Sequence, residues 1–285
     1  GVSEPIANST SVTQYLLSDF VRKDGTVVVL GGDGGDELFG GYTRHRILMG
    51  AYLYQRLPRI LGSLGGMVSP RVKKLMTPFG SPIHRSVMIK DEKKILPFLK
   101  GPQVSNKTID MFFGREYARE TDAQHPLRTF MHVDRRTWLP DECFLRSDYA
   151  SMAHGVELRV PLSDIDVVNL SDQISVWKKT MPWEGKRVIR HTYKSYLPSH
   201  LYSEPKRGWL SPAAKWFRDP VIHAYANDVY SDAYYHGLSE LFDWDRVREL
   251  LKDHVEHKGY YLYPLWNILA LQVWAKEHTI VYEPK

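Results

Sequence analysis

Cysteine is nearly missing from this chain: Cys143 stands alone among 285 residues. That excludes an intrachain disulfide framework and any metal site built on several thiolates. Long apolar runs are missing as well, and no stretch approaches the roughly 18 consecutive apolar residues of a membrane-spanning helix. Nor is there a stripe of one charge sign. Lys plus Arg number 38 against 33 Asp plus Glu, for a net charge of +5, and the basic residues fall in scattered pairs such as Lys73-Lys74, Lys93-Lys94, Arg135-Arg136 and Lys178-Lys179. Nucleic-acid binders concentrate such charge, so the balance fits a solvated surface or an anionic small-molecule substrate. Asn-x-Ser/Thr matches begin at Asn8, Asn106 and Asn169, with nothing like a signal peptide before them, and read as chance. The expectation is a cytoplasmic protein that binds neither membrane nor nucleic acid. The first residue is Gly1 rather than Met, from which a truncated chain is expected.

What is present is an ordinary globular composition, 43% hydrophobic and 25% charged, long enough for one or two domains. Val12, Tyr15, Leu16 and Phe20 lie at helical spacing after a Ser/Thr-rich start, which predicts a helix from near Ser11. Asp24-Gly25 signals a turn, and Thr26-Val27-Val28-Val29-Leu30 then reads as a strand buried on both faces of a parallel sheet, the one convincing strand. A helix is expected from Tyr42 to Leu61, and the following stretch to Pro102 is rich in Gly, Pro and Lys. Further on the pattern is helical, interrupted by prolines. Val247, Leu250, Leu251 and Val255 share a face of a helix that Asp243 or Asp245 caps and Gly259 ends. The last helix, Leu265 to Lys276, is apolar nearly all round and should be buried.

The sharpest signal follows the strand: Gly31-Gly32-Asp33-Gly34-Gly35-Asp36-Glu37-Leu38-Phe39-Gly40-Gly41-Tyr42. Six glycines in eleven residues let a backbone approach a ligand closely, and the carboxyl end of a strand is where open α/β sheets bind ligands. Three carboxylates in the loop repel a phosphate unless a cation stands between them, which suggests Mg²⁺ bridging to a nucleotide. No Gly-Lys-Ser/Thr follows, so the loop is not a phosphate-binding Walker loop; Glu37 stands where a dinucleotide fingerprint needs its third glycine. The competing reading is a tight strand-to-helix turn with Asp33 or Asp36 as its cap.

The run from Gly32 to Tyr42 resembles the second signature of the asparagine synthetase family, the ATP-dependent, glutamine-using amidotransferases. The resemblance extends to Glu4-Pro5, to Leu139-Pro140-Asp141-Glu142, and to the block from Arg146 through Asp148, Ser151 and Gly155 to Glu157, Arg159 and Pro161. It continues in Gly185-Lys186 with Arg190, in Pro205-Lys206-Arg207-Gly208-Trp209 with Pro212, and in the Leu265-Trp266…Trp274 helix. It implies a C-N ligase of asparagine biosynthesis in which ATP adenylates aspartate and ammonia, normally from glutamine, attacks the β-aspartyl-adenylate.

By that resemblance Asp33 is a catalytic carboxylate that positions the intermediate and accepts a proton, Lys206 contacts the phosphates, Gly31, Gly32 and Gly34 contact the nucleotide, and Asp36 binds Mg²⁺. Glu37, Arg146, Asp148, Glu157 and Arg159 are expected to support the site, the last four as a charged network. The implied fold is α/β but predominantly helical, an adenine-nucleotide alpha-hydrolase-like (PP-loop) synthetase domain. Residues 1–60 would be a remnant of its nucleotide-binding core, and residues 61–285 its helical continuation. The family's Ser-Gly-Gly-x-Asp-Ser loop and its cysteine-led glutaminase domain have no counterpart in the sequence, so a glutaminase half in cis or trans is an expected partner, and a homodimer is among the assemblies allowed. Leu162-Ser163-Asp164 replaces the family's Phe-Leu-Asp, which opens the choice of acid. Rival readings are an enzyme amidating another carboxylate or closing a β-lactam, and a non-catalytic interaction domain. His254 and His257, one turn apart, lack a third metal ligand and read as a helix face, and Cys143 reads as core.

Overall fold

The β-branched run before the glycines forms a strand, and its carboxyl end opens directly into the loop. A computed structural model describes residues 2–56, 98–100, 106–119, 125–200, 208–209 and 211–283. In chain order the elements that matter are α1 (Thr10–Lys23), β1 (Val28–Leu30), α2 (Gly35–Phe39), α3 (Thr43–Gln55), α4 (Asn106–Ala118) and α5 (Pro126–Arg136). A π-helical turn (Leu139–Phe144) then runs into α6 (Leu145–Met152), followed by β2 (Glu157–Arg159), α7 (Ile165–Gln173), α8 (Val176–Lys179) and α9 (Arg187–Thr192). The rest is helical: α10 (Ala213–Trp216), α11 (Pro220–Val229), α12 (Trp244–Val255) and α13 (Leu262–Glu277).

The sheet holds a second strand that the sequence reading did not single out. β1 and β2 pair in parallel, Val28 opposite Glu157, Val29 opposite Leu158 and Leu30 opposite Arg159. The backbone N–H of Gly31 donates to the Arg159 carbonyl at 2.7 Å, so the ladder carries on into the first glycine of the loop. The expectation that β1 is buried on both faces is corrected. Leu30 is 74% exposed and Val28 38%, because two strands alone cannot cover their own faces. α1 packs along α6 beside this pair and leaves Leu16 and Phe20 exposed.

Two apolar clusters hold the helices. One gathers Phe217, Val229, Tyr230, Val247, Leu251 and Leu265 from α11 to α13 and their surroundings, tied by the Tyr230 hydroxyl donating to the Leu265 carbonyl at 2.6 Å. The other joins α3 to α5 through Leu48, Met49, Leu127, Phe130 and Met131. The last helix is buried along Leu265, Ile268 and Ala275, as its composition requires. Asp243 caps α12 by accepting from the Arg246 N–H at 3.3 Å. That helix ends before Gly259, at Val255 with Glu256 behind it, since His257 already takes a left-handed φ of 61°. The boundary expected between residues 60 and 61 lies outside the described residues.

Candidate active site

The glycine–acid loop is a strand-to-helix turn whose conformation only glycine serves. Gly34 adopts φ 88° and caps α2 with its backbone, not with an aspartate side chain, which disposes of the reading of Asp33 or Asp36 as the cap. A Cβ on Gly34 would stand 2.1 Å from Ser163 Oγ, whereas one on Gly32 would meet nothing within 4 Å. Tight packing therefore explains Gly34; Gly32 faces open space.

The two aspartates of the loop serve different neighbours. Asp33 accepts a hydrogen bond on Oδ2 from Ser147 Oγ at 3.1 Å, and its backbone carbonyl accepts from Ser163 Oγ at 3.0 Å. Ser147 in turn receives Gln14 Nε2 at 3.0 Å. Asp33, Gly31 and Gly32 line a cavity of about 340 Å³, with Leu17, Arg146 and Trp209 among its other walls. Arg146 is buried, donates from Nε to Glu142 at 2.9 Å and from Nη1 to Gln14 Oε1. The cavity thus has an apolar side, from α1 and the strands, and a polar side with one carboxylate and one guanidinium. Asp36 instead meets Lys186 Nζ at 3.1 Å, and this pair packs over Gly41, where a Cβ would strike both side chains.

Glu37 is buried beneath the loop, 2% exposed. It accepts from the Tyr42 hydroxyl and, at 3.7 Å, from Cys143 Sγ; Trp138 Nε1 donates to Tyr42 at 3.1 Å. Burial raises the Glu37 carboxyl above its ordinary range, against the pull of the Tyr42 bond. Burial likewise pushes up the Cys143 thiol, which suits a core thiol and not a nucleophile. Behind α2, Asp134 on α5 receives Arg44 at 2.9 Å and lies 2.9 Å from His45 Nε2. Burial lowers the His45 pKa, while Asp134 works in the opposite direction. Glu37 therefore belongs to the scaffold under α2.

The charged network expected of Arg146, Asp148, Glu157 and Arg159 does not form. Arg146 turns to Glu142 and Gln14, and Asp148 is exposed. Glu157 and Arg159 pair with each other at 2.8 Å on the surface. The alternation of β2 explains this: Leu158 turns inward and its two charged neighbours outward. Lys206 lies outside the described residues, although Trp209 from the same motif lines the cavity and donates to Thr13 Oγ1 at 3.2 Å. His254 is buried with both ring nitrogens engaged, by the Ala214 carbonyl and the Tyr261 N–H. Ser147, Gln14 and Ser163 were missed as site residues. Only the proximity of Ser147 to Arg146 in a motif, and the departure at Ser163, marked them.

Residues 2–276 match the asparagine synthase family. The chain belongs to that family. It is 26% identical over 297 residues to asparagine synthetase [glutamine-hydrolyzing] 1 of Bacillus subtilis (strain 168), covering 99% of this chain and 45% of that protein. It is 27% identical over 299 residues to a putative asparagine synthetase [glutamine-hydrolyzing] of Mycobacterium bovis, covering 98% and 44%. A more distant relative, amidase chry2 of Gibberella zeae, is 21% identical over 277 residues, covering 87% and 41%. This asparagine synthase-family chain spans less than half the length of these relatives.

The loop leaves room for a ligand beside its backbone. The open space above Gly32 admits a close ligand, and the cavity beside it is of small-molecule size. Among the described residues no group of three or more His, Cys, Asp or Glu gathers to hold a metal alone. Mg²⁺ carried on a nucleotide's phosphates asks only one or two protein carboxylates, so such a cluster is not required of the loop. No described helix is long and apolar enough to cross a membrane.

Proposed function

We propose that residues 1–285 are the C-terminal part of the synthetase domain of a cytoplasmic, ATP-dependent asparagine synthetase. Residues 1–60 then belong to a PP-loop nucleotide-binding core, residues 61–285 are its helical continuation, and a glutaminase half in cis or trans delivers ammonia. The observation that carries this reading is Asp33, set at the carboxyl end of a parallel strand, oriented by Ser147 and opening with Arg146 on one cavity.

In this scheme a β-carboxylate oxygen of aspartate displaces pyrophosphate at the α-phosphorus of ATP. Ammonia attacks the acyl carbon of the adenylate, AMP leaves with the C–O electron pair, and Asp33 takes the surplus proton from nitrogen. Ser147 holds the Asp33 carboxylate toward the cavity, and Arg146 offsets negative charge there. Gly31, Gly32 and Gly34 let the nucleotide approach the backbone. Lys206 neutralises the phosphates. Asp36 would hold Mg²⁺, exchanging its Lys186 partner for the ion, which supplies charge neutralisation at the phosphates.

Aspartate-dependent exchange of pyrophosphate into ATP, measured on the full-length polypeptide that contains this segment, tests the reading. Exchange with aspartate is expected, and Asp33→Asn should retain exchange while losing asparagine formation. The fungal relatives named amidases, and Ser163 standing against the loop at a position that departs from the family pattern, favour a second reading in which another carboxylate is amidated. Exchange with another acid but not with aspartate establishes that alternative. No exchange with any acid leaves a non-catalytic interaction domain.

A further inference from the structure

α1 does more than pack along α6, because one of its residues completes a hydrogen-bond chain that ends on Asp33. Gln14, Leu17, Ser18 and Val21, at helical spacing on α1, line the cavity on which Asp33 opens. Gln14 is the one amide among them, and both its ends are used. Its Oε1 accepts from Arg146 Nη1, and its Nε2 donates to Ser147 Oγ at 3.0 Å. Arg146 and Ser147 are adjacent on α6 and both are buried, so a single side chain from α1 spans the pair.

The order of donors along this chain is forced. A guanidinium can only donate, so the atom of Gln14 that faces Arg146 has to be the carbonyl oxygen. The amide NH₂ is thereby turned to Ser147 and donates there. A serine hydroxyl has one proton, and with Gln14 donating to the oxygen that proton is left for Asp33 Oδ2, 3.1 Å away. Arg146 is anchored at the far end. Its Nε donates to Glu142 Oε1 at 2.9 Å, and Asn8 Nδ2 donates to the same oxygen at 2.5 Å. Hydrogen bonds in series polarise one another, and they are strongest where the acceptor is a carboxylate. Without Gln14 the Ser147 hydroxyl is free to turn to a carbonyl of its own helix, as helical serines do.

We propose that Gln14 is a positioning residue for amide formation, acting through Ser147: it fixes the hydroxyl proton on Asp33 and with it the direction in which that carboxylate meets the incoming nitrogen. This rests on the reading of Asp33 as the group that takes the surplus proton. Gln14 itself transfers nothing. Its part is to hold the donor on Asp33 in one orientation, which a hydroxyl alone does not keep.

The test compares Gln14→Glu, Gln14→Leu, Ser147→Ala and the double variant Gln14→Leu with Ser147→Ala in the full-length polypeptide. Amide formation with ammonia, acid-dependent pyrophosphate exchange and thermal unfolding are measured on each. Gln14→Glu keeps an acceptor for Arg146 but offers Ser147 an acceptor in place of a donor. It should unfold at or above the parent's temperature and yet form amide roughly tenfold more slowly, a combination that a merely structural role does not give. Gln14→Leu should be slowed to a similar degree. In both, the fall in amide formation should exceed the fall in exchange, because Asp33 acts after the adenylate has formed. In the Ser147→Ala background Gln14→Leu should slow amide formation by less than about twofold more, since the path through Ser147 is already cut. Amide formation at the parent's rate in Gln14→Glu overturns the proposal. So does a full tenfold loss on top of Ser147→Ala, which would mean that Gln14 acts by another route. Absence of exchange in the parent with any acid would instead remove the amidation reading, and this inference with it.

Discussion

Ser147 Oγ donates to Asp33 Oδ2 at 3.1 Å across 114 positions of sequence. The bond joins the start of α6 to the loop after β1 and fixes which way the one carboxylate of the cavity points. Removing a hydrogen bond to an ionised group commonly loses about 1.5–3 kcal/mol. Ser147→Ala in the full-length polypeptide should therefore lower the rate of amide formation by roughly tenfold or more, with a smaller change in the KM for ATP. Steady-state kinetics with ammonia as donor checks this. An unchanged kcat would mean that Asp33 is held by its backbone alone.

The glycines of the loop separate folding from binding. Gly34→Ala forces a side chain into a left-handed φ and onto Ser163 Oγ, and should destabilise the chain by about 1–3 kcal/mol, through the strained conformation and the clash together. Gly32→Ala meets no neighbouring atom. It should fold with the parent's urea midpoint, to within about 0.5 kcal/mol, yet bind nucleotide more weakly if a ligand occupies that space. Urea unfolding beside nucleotide titration of both variants distinguishes the two roles. Equal loss of stability in both would refute the distinction.

The loop and its strand were legible because chemistry and chain order coincide there: six glycines and three acids in one short run, directly after a β-branched segment. The apolar last helix was legible for the same reason. β2 was not, since three residues between Gly155 and Pro161 carry too little pattern to outweigh the helices around them. The burial of β1 was misjudged because an apolar run states a preference for cover, while cover depends on neighbouring strands. Glu157 and Arg159 were assigned to a charged network by motif, and the two-residue period of the strand turns them out to pair with each other. The Arg44–Asp134–His45 cluster joins positions about ninety apart, and no local spacing announces it.

Lys186 and Asp36 allow a test of the cation site without measuring turnover. Their contact, at 3.1 Å, is partly buried, with side chains 28% and 16% exposed. Lys186→Met removes this contact from the carboxylate and should destabilise the chain by about 1–3 kcal/mol, less than a fully buried pair would lose. If Asp36 is a cation ligand, millimolar Mg²⁺ should recover part of that loss in thermal unfolding. The double variant Asp36→Asn with Lys186→Met should show no such response. A Mg²⁺ effect of equal size in the double variant would sink the assignment of Asp36.

His254 makes the C-terminal helices sensitive to acid. Its Nδ1 accepts the Tyr261 backbone N–H at 3.0 Å, so that nitrogen carries no proton, and Nε2 donates to the Ala214 carbonyl at 3.0 Å. Protonation of the ring breaks the first bond, and burial, ahead of the opposing Ala214 bond, lowers the pKa below its ordinary value of 6.5. The unfolded chain therefore takes up the proton first as pH falls. The contribution of His254 is fully present above the unfolded pKa of about 6.5 and is lost below it, until the folded pKa is reached, at up to about 1.4 kcal/mol per pH unit. His45 and His125, the latter lowered to about 4 by burial, act with the same sign. Stability to urea should fall from pH 7 to pH 5, and His254→Gln should be less stable at pH 8 but fall less steeply. A variant whose slope equals the parent's would show that His254 already shares one pKa between the folded and unfolded chain.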